Sequence, residues 1–153
     1  MPVPAVGSAA PDFTLNSTSG SPISLSQFKA NSRVLLAFFP LAFTSVCTAE
    51  MCAFTEDYDA FGTAGVTVLP ISVDSVPTLK EFKAKNQLTV DLLSDFKRDT
   101  SRAYGTLIEE LFFSTRAYFL IDADGIVRWS HVEETPGKSR TNAEILAAIA
   151  TSA

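Results

Sequence analysis

Two cysteines and one histidine are the most reactive side chains among the 153 residues of this chain. A structural zinc site takes four Cys or His ligands and the chain holds only these three, which leaves Cys47 and Cys52 the chemistry of thiols: nucleophilic attack, oxidation or disulfide exchange. Cys47 follows an apolar run, RVLLAFF at 33–39, that is closed by Pro40, and it falls in the first turn of the helical pattern that comes next. A helix N-terminus carries roughly half a positive charge and several unpaired N–H groups, and both stabilise a thiolate, the form that attacks. The position equally suits a small buried apolar residue. Its neighbours add chemistry. Pro40 can hold the loop and keep water from the sulfur, and the Thr44 hydroxyl can act as a plain helix cap or as a donor to the thiolate and an acceptor for an incoming oxygen.

The elements that must hold this loop are legible as periodicity. After a proline-rich start, DFTL at 12–15 and PISL at 22–25 read as short strands about a turn signal at 17–20. RVLLAFF is apolar at every position after Arg33, as a strand covered on both faces must be. From Thr44 or Ser45 to about Phe61 the residues Val46, Met51, Phe54, Tyr58 and Phe61 recur at helical spacing, and Gly62 and Gly65 end the pattern. VTVLPISVD at 66–74 is a second buried strand, strained by Pro70. PTLKEFKAKN at 77–86 is an amphipathic helix with proline near its first turn, LLSD at 92–95 a short strand, and 101–104 a brief helix ending at Gly105. RAYFLID at 116–122 and IVRWSHV at 126–132 flank the hairpin signal Ala123-Asp124-Gly125, and NAEILAAIA at 142–150 closes the chain as a helix capped by Thr141 or Asn142. Strands alternating with helices and then a hairpin predict an α/β fold, a central mixed β-sheet flanked by helices on both faces. Ligand sites on such sheets lie beyond the carboxyl ends of the strands, which points to the segment after Phe39. No repeat or linker divides the chain, so a single domain over 1–153 is expected.

Composition narrows the partners. With 46% apolar and 19% charged residues, a chain of this length builds a core without disulfide staples, so both thiols are free for chemistry. A net charge of −5 with no basic run argues against nucleic acid or an anionic membrane surface as partner. The longest apolar run, 34–43, is half of the roughly 20 residues a membrane-spanning helix requires. The opening MPVPAVGSAAPDF lacks the basic and apolar segments of a signal peptide, so a cytoplasmic location, where thiols stay reduced, is expected.

The spacing P-x-x-x-T-x-x-C, formed by Pro40, Thr44 and Cys47, resembles the active-site motif of the peroxiredoxins. APDFTL, RVLLAFFP, LPISVD, LLSD and RAYFLIDADGIV resemble blocks of that family in the same order, so the similarity spans nearly the whole chain. The resemblance implies an elaborated thioredoxin-like fold and a thiol-dependent peroxidase that reduces hydrogen peroxide and organic hydroperoxides with no metal or cofactor. It makes Cys47 the peroxidatic cysteine, passing through a sulfenic acid. It makes Arg116 the guanidinium that reaches the thiolate and donates to the peroxide, and Glu50 the side chain that orients Arg116. Without the resemblance, Arg116 reads as an exposed strand-end arginine and Glu50 as an acidic residue favoured by the helix dipole.

Cys52 follows Cys47 as C-x4-C. Five residues of ideal helix rise about 7.5 Å and turn about 500°, which sets the two Cα atoms roughly 8–9 Å apart on diverging faces, beyond the ~7 Å that a disulfide spans. The pair joins only if the first turns unwind. The spacing resembles the bacterioferritin-comigratory, or Q-type, branch of the family and implies that Cys52 resolves the sulfenic acid within the same chain. PLAFTSVC resembles the AhpE-like branch, whose members often lack that cysteine and need an external thiol. The resemblance further implies recycling by a thioredoxin- or glutaredoxin-type dithiol. Two other readings are a redox sensor without rapid turnover and a thioredoxin-like disulfide reductase, though the C-x-x-C of the latter is absent. His131 reads as a surface or satisfied histidine on a strand face shared with Trp129. Leu41, Phe43 and Leu111-Phe112-Phe113 read as an apolar collar or a dimer face, which leaves monomer and homodimer both open.

Overall fold

The computed structural model describes residues 3–135 and 137–152. RVLLAFF becomes strand β3 (Arg33–Phe38), and its alternating side chains explain why the run is apolar throughout. Leu35, Ala37 and Phe39 enter one core cluster and Val34, Leu36 and Phe38 another, on opposite faces of the sheet. β3 lies between the parallel strand β4 (Val66–Ser72) and the antiparallel strand β8 (Ala117–Ile121), in registers Leu35↔Val68 and Leu36↔Phe119. With β1 (Thr14–Ser17), β2 (Ile23–Ser24), β5 (Leu93–Ser94) and β9 (Val127–Val132), the mixed seven-stranded sheet runs β2-β1-β5-β4-β3-β8-β9. β1 begins two residues later than the sequence suggests; ahead of it the Asp12 carboxylate accepts the Ser26 N–H at 3.0 Å and Phe13 O accepts the Leu25 N–H at 3.2 Å.

Helices cover the two faces unequally. The first cluster packs beneath α1 (Ser45–Glu56), α2 (Tyr58–Thr63), α3 (Val76–Asn86) and α5 (Asn142–Thr151). The second packs beneath a 3-10 turn (Leu25–Phe28) and the short α4 (Asp99–Ala103). The helix expected from 44 to 61 is interrupted at Asp57, where φ −100° and ψ 18° leave the helical region. Asn142 lies against this break, donating to Ala53 O at 2.8 Å and to Asp57 Oδ2 at 2.9 Å. Pro70 sits inside β4 without breaking a ladder. Ile71 O accepts from Phe39 N, so Ile71 turns its polar groups to β3 and Pro70 faces the other edge, where β5 pairs only with Ile71 and Ser72. Two short strands that the sequence did not announce, β6 (Leu107–Ile108) and β7 (Phe113–Ser114), form a small hairpin before β8. Ser75 and Thr141 are the side-chain caps of α3 and α5, Thr141 within a full capping box. No described helix is long and apolar enough to cross a membrane.

Candidate active site

The site lies beyond the carboxyl end of β3. Pro40 is buried as the chain leaves the sheet, and two residues on the Ala42 N–H donates to Asp74 Oδ2 at 2.8 Å. The same oxygen accepts from Ser72 Oγ at 2.7 Å, so the loop is tied to the end of β4. Phe43 then adopts φ +65°, the left-handed region that a bulky side chain enters only at an energetic cost, with its ring 5.1 Å from that of Phe82. Thr44 is the N-cap of α1 by backbone conformation alone. Its hydroxyl donates to Leu41 O at 2.8 Å and makes no cap bond to the helix, so its proton is not on the sulfur while its lone pairs stay open to a donor.

Cys47 occupies the first turn of α1 and is 1% exposed. Arg116, equally buried at the entry to β8, donates from Nη2 to Cys47 Sγ at 3.0 Å and from Nη1 to Glu50 Oε1 at 2.9 Å. Glu50 stands one turn after Cys47 on the same helix face, and both its oxygens are used: Tyr118 Oη donates to Oε2. The Tyr118 oxygen in turn accepts the main-chain N–H of Arg140 at 3.0 Å. Arg116 is anchored through its own carbonyl, which accepts Glu133 N at 2.9 Å. Glu133, also buried, accepts from Arg140 Nε at 3.0 Å and lies 3.1 Å from His131 Nε2, the satisfied histidine expected from sequence. Burial pushes the Glu50 carboxyl up from its ordinary value, against the pull of the Arg116 charge and the Tyr118 hydrogen bond. Burial likewise opposes the charge on Arg116, but Glu50 and Cys47 outweigh it and hold the guanidinium above its usual value. Burial and the neighbouring Glu50 push the Tyr118 phenol far up, so it stays protonated and able to donate.

The structure thus brings Cys47, Glu50 and Arg116 into hydrogen-bond contact and sets Pro40 and Thr44 on the loop that leads to them. Arg116 is buried, unlike the exposed strand-end residue that its local sequence suggests. Cys52 is free and half-buried against the first core cluster, on an unbroken α1. Sequence reasoning missed Asp74, Tyr118, Glu133 and Arg140. Tyr118 had a signal: it lies two residues from Arg116 on a buried strand, on the same face, and a buried tyrosine needs a partner for its hydroxyl. Among the described residues no cluster of three or more His, Cys, Asp or Glu is placed to hold a metal ion.

The arrangement is a buried thiol in the first turn of a helix, hydrogen-bonded to an arginine at the head of a neighbouring strand, on a thioredoxin-like sheet; by its likeness to known proteins the chain is a peroxidase of the peroxiredoxin class. The AhpC/TSA family pattern matches residues 6–130, and the chain belongs to this family. It is 36% identical over 137 residues to alkyl hydroperoxide reductase E of Mycobacterium tuberculosis, covering 88% of this chain and 89% of the relative. It is 38% identical over 126 residues to the chloroplastic peroxiredoxin Q of Oryza sativa subsp. japonica, covering 80% of this chain and 57% of that protein. Among solved structures, the reduced 2-Cys peroxiredoxin of Plasmodium vivax superposes with a TM-score of 0.88 at 36% identity, over 95% of this chain and 80% of that one. Peroxidoxin BcpB of Mycobacterium tuberculosis gives 0.83 at 28% identity, over 97% and 96%.

Proposed function

We propose that Cys47 is the peroxide-reactive thiolate of this peroxidase and Arg116 its electrostatic partner. The observation that carries this reading is the 3.0 Å hydrogen bond from Arg116 Nη2 to a buried Sγ in the first turn of α1. The thiolate attacks one oxygen of hydrogen peroxide or an organic hydroperoxide. The S–O bond forms as the O–O bond breaks, the sulfur gives up two electrons, and the departing oxygen takes a proton and leaves as water or an alcohol. Arg116 and the N–H groups of the first turn meet the negative charge that builds on that oxygen, and the Thr44 hydroxyl accepts the O–H of the incoming hydroperoxide. Pro40 keeps bulk water from the sulfur, and Glu50 holds the guanidinium in place.

Cys52 then attacks the sulfenic sulfur, releasing water and forming a Cys47–Cys52 disulfide, which requires the first turns of α1 to open. A thioredoxin- or glutaredoxin-type dithiol in a reducing cytoplasm returns both thiols by exchange. A one-cysteine route, in which an external thiol resolves the sulfenic acid, is the second reading, and it rests on Cys52 being packed half-buried in an intact helix. Cys47→Ser abolishes peroxide consumption under either reading, and a Cys47→Ser protein with normal turnover overturns both. Mass spectrometry after one equivalent of peroxide separates them: loss of two hydrogens at linked Cys47 and Cys52 peptides marks the internal route, and a persistent added oxygen on Cys47 marks the external one.

A further inference from the structure

The carboxylate that fixes Arg116 is itself fixed from an unexpected direction. Tyr118 is fully buried on β8, its ring stacked at 29° and 6.4 Å on that of Trp129, and its hydroxyl ends at Glu50 Oε2. Because the phenol oxygen accepts the Arg140 main-chain N–H at 3.0 Å, the hydroxyl hydrogen is left pointing at the carboxylate. Four parts of the chain meet in this arrangement: α1 through Cys47 and Glu50, the entry to β8 through Arg116, β8 through Tyr118, and the segment before α5 through Arg140. Among the described residues, Tyr118 is the one donor to Glu50 Oε2. Beside it a groove of 560 Å³, lined by Ser45, Ala49, Glu50 and Arg140 among others, opens to solvent, so a proton can reach Glu50 when its donors fail.

We propose that Tyr118 is a positioning residue for the peroxide reaction: its hydroxyl, oriented by the Arg140 N–H, keeps Glu50 a carboxylate and so keeps Arg116 aimed at Cys47. The proposal rests on the assignment of Cys47 as the reacting thiol. The groups that face Glu50 are Cys47 on its own helix, Arg116 and Tyr118 from the β8 side, Glu133 beyond β9 and Arg140 ahead of α5. Arg116 and the Tyr118 hydroxyl favour the charged carboxylate, whereas Glu133 and burial oppose it. Removing the hydroxyl therefore shifts the balance towards the neutral acid, and a Glu50 that takes up a proton no longer offers Arg116 a full charge to pair with.

The test is the carboxyl carbon resonance of Glu50 in the reduced protein, followed with pH. The unsubstituted protein holds a carboxylate at neutral pH. Tyr118→Phe, which keeps the ring on Trp129 and is checked for folding by near-ultraviolet circular dichroism, moves the titration of that resonance to higher pH. A titration left in place in Tyr118→Phe overturns the proposal, as does a neutral Glu50 acid in the unsubstituted protein at neutral pH. None of these signals depends on peroxide turnover, so an unreactive Cys47 defeats the proposed function through the Cys47→Ser assay without being mistaken for a failure here.

Discussion

Replacing Arg116 with methionine separates what this arginine does for the fold from what it does for the sulfur. Its side chain is 1% exposed and that of its partner Glu50 4%, so Arg116→Met leaves a carboxylate in the interior with, among the described residues, the Tyr118 donor alone. Breaking a buried pair from one side costs about 3–5 kcal/mol of stability, because the remaining charge is uncompensated. Adding Glu50→Gln neutralises that orphan and recovers much of the loss. The sulfur is not rescued: the bond from Nη2 to Sγ is charge-assisted, worth about 1.5–3 kcal/mol, and its removal lowers the second-order rate with hydrogen peroxide about 10- to 160-fold. Thermal unfolding of the single and double variants gives the first quantity, and a peroxide competition assay on the folded fraction gives the second. A rate for Arg116→Met within about threefold of the unsubstituted protein, or a double variant that regains rate along with stability, overturns this role for Arg116. Arg116→Lys sharpens the test, since one ammonium cannot reproduce the planar fork that serves Cys47 and Glu50 together, and a rate close to that of the methionine variant is expected.

Asp74→Ala frees the Ala42 N–H from the end of β4, and the loosened loop slows peroxide reduction several-fold with a stability cost of about 1–3 kcal/mol, read by the same two assays. Cys52→Ser leaves the first turnover with peroxide intact and alters only recycling, which single-turnover and steady-state rates distinguish. Asp122 tests electrostatics away from the site: burial alone pushes its carboxyl up, but the Ile126 and Asp124 N–H groups and Arg128 outweigh this and hold it below its ordinary 3.8. A depressed carboxyl contributes stability above its unfolded value and loses it as pH falls through the folded one, so Asp122→Ala is destabilised at neutral pH and the gap to the native protein narrows below about pH 3.8 in denaturant titrations. Glu50 carries the opposite sign. Its raised carboxyl contributes stability that is full below 4.5 and is lost as pH rises through its folded value, so Glu50→Gln gains on the native protein over that rise.

What the sequence disclosed and what it hid follow from the range of the forces involved. β3, β4 and β8 were legible because a strand buried on both faces must be apolar at nearly every position, and α3 and α5 because Pro77 and Thr141 mark their starts locally. The break at Asp57 was not legible, since the contacts that meet it come from Asn142, far along the chain. The two-residue strands β6 and β7 are too short to carry a period. The site divides in the same way. Pro40, Thr44 and Cys47 share one loop, and their spacing is local information. Arg116 and Glu50 meet across 66 positions, and only likeness to a family placed them together before the fold did. Tyr118 lies within the strand RAYFLID, and nothing near it in sequence shows that its hydroxyl ends on a carboxylate of α1.

The start of α1 also bears on how the two cysteines can meet. Helices commonly gain about 0.5–2 kcal/mol from a side-chain cap, and this one has none, because the Thr44 hydroxyl is committed to Leu41 O. The residue before the cap is a phenylalanine at φ +65°, so the approach to the helix stores strain rather than relieving it. Against these stand the Asp74 tie to Ala42 and the Arg116 bond to the sulfur. The two restraints differ in their response to the proposed reaction. The Asp74 tie is indifferent to oxidation, whereas the arginine bond is strongest to a thiolate and weakens once the sulfur becomes a neutral sulfenic acid. Oxidation therefore weakens the restraint that acts on Cys47 itself, at a helix start with no side-chain cap bond. On the proposed route the first turn unwinds after the peroxide has reacted and not before, which keeps the reduced thiolate aimed and lets Cys52 reach it only when there is a sulfenic acid to resolve.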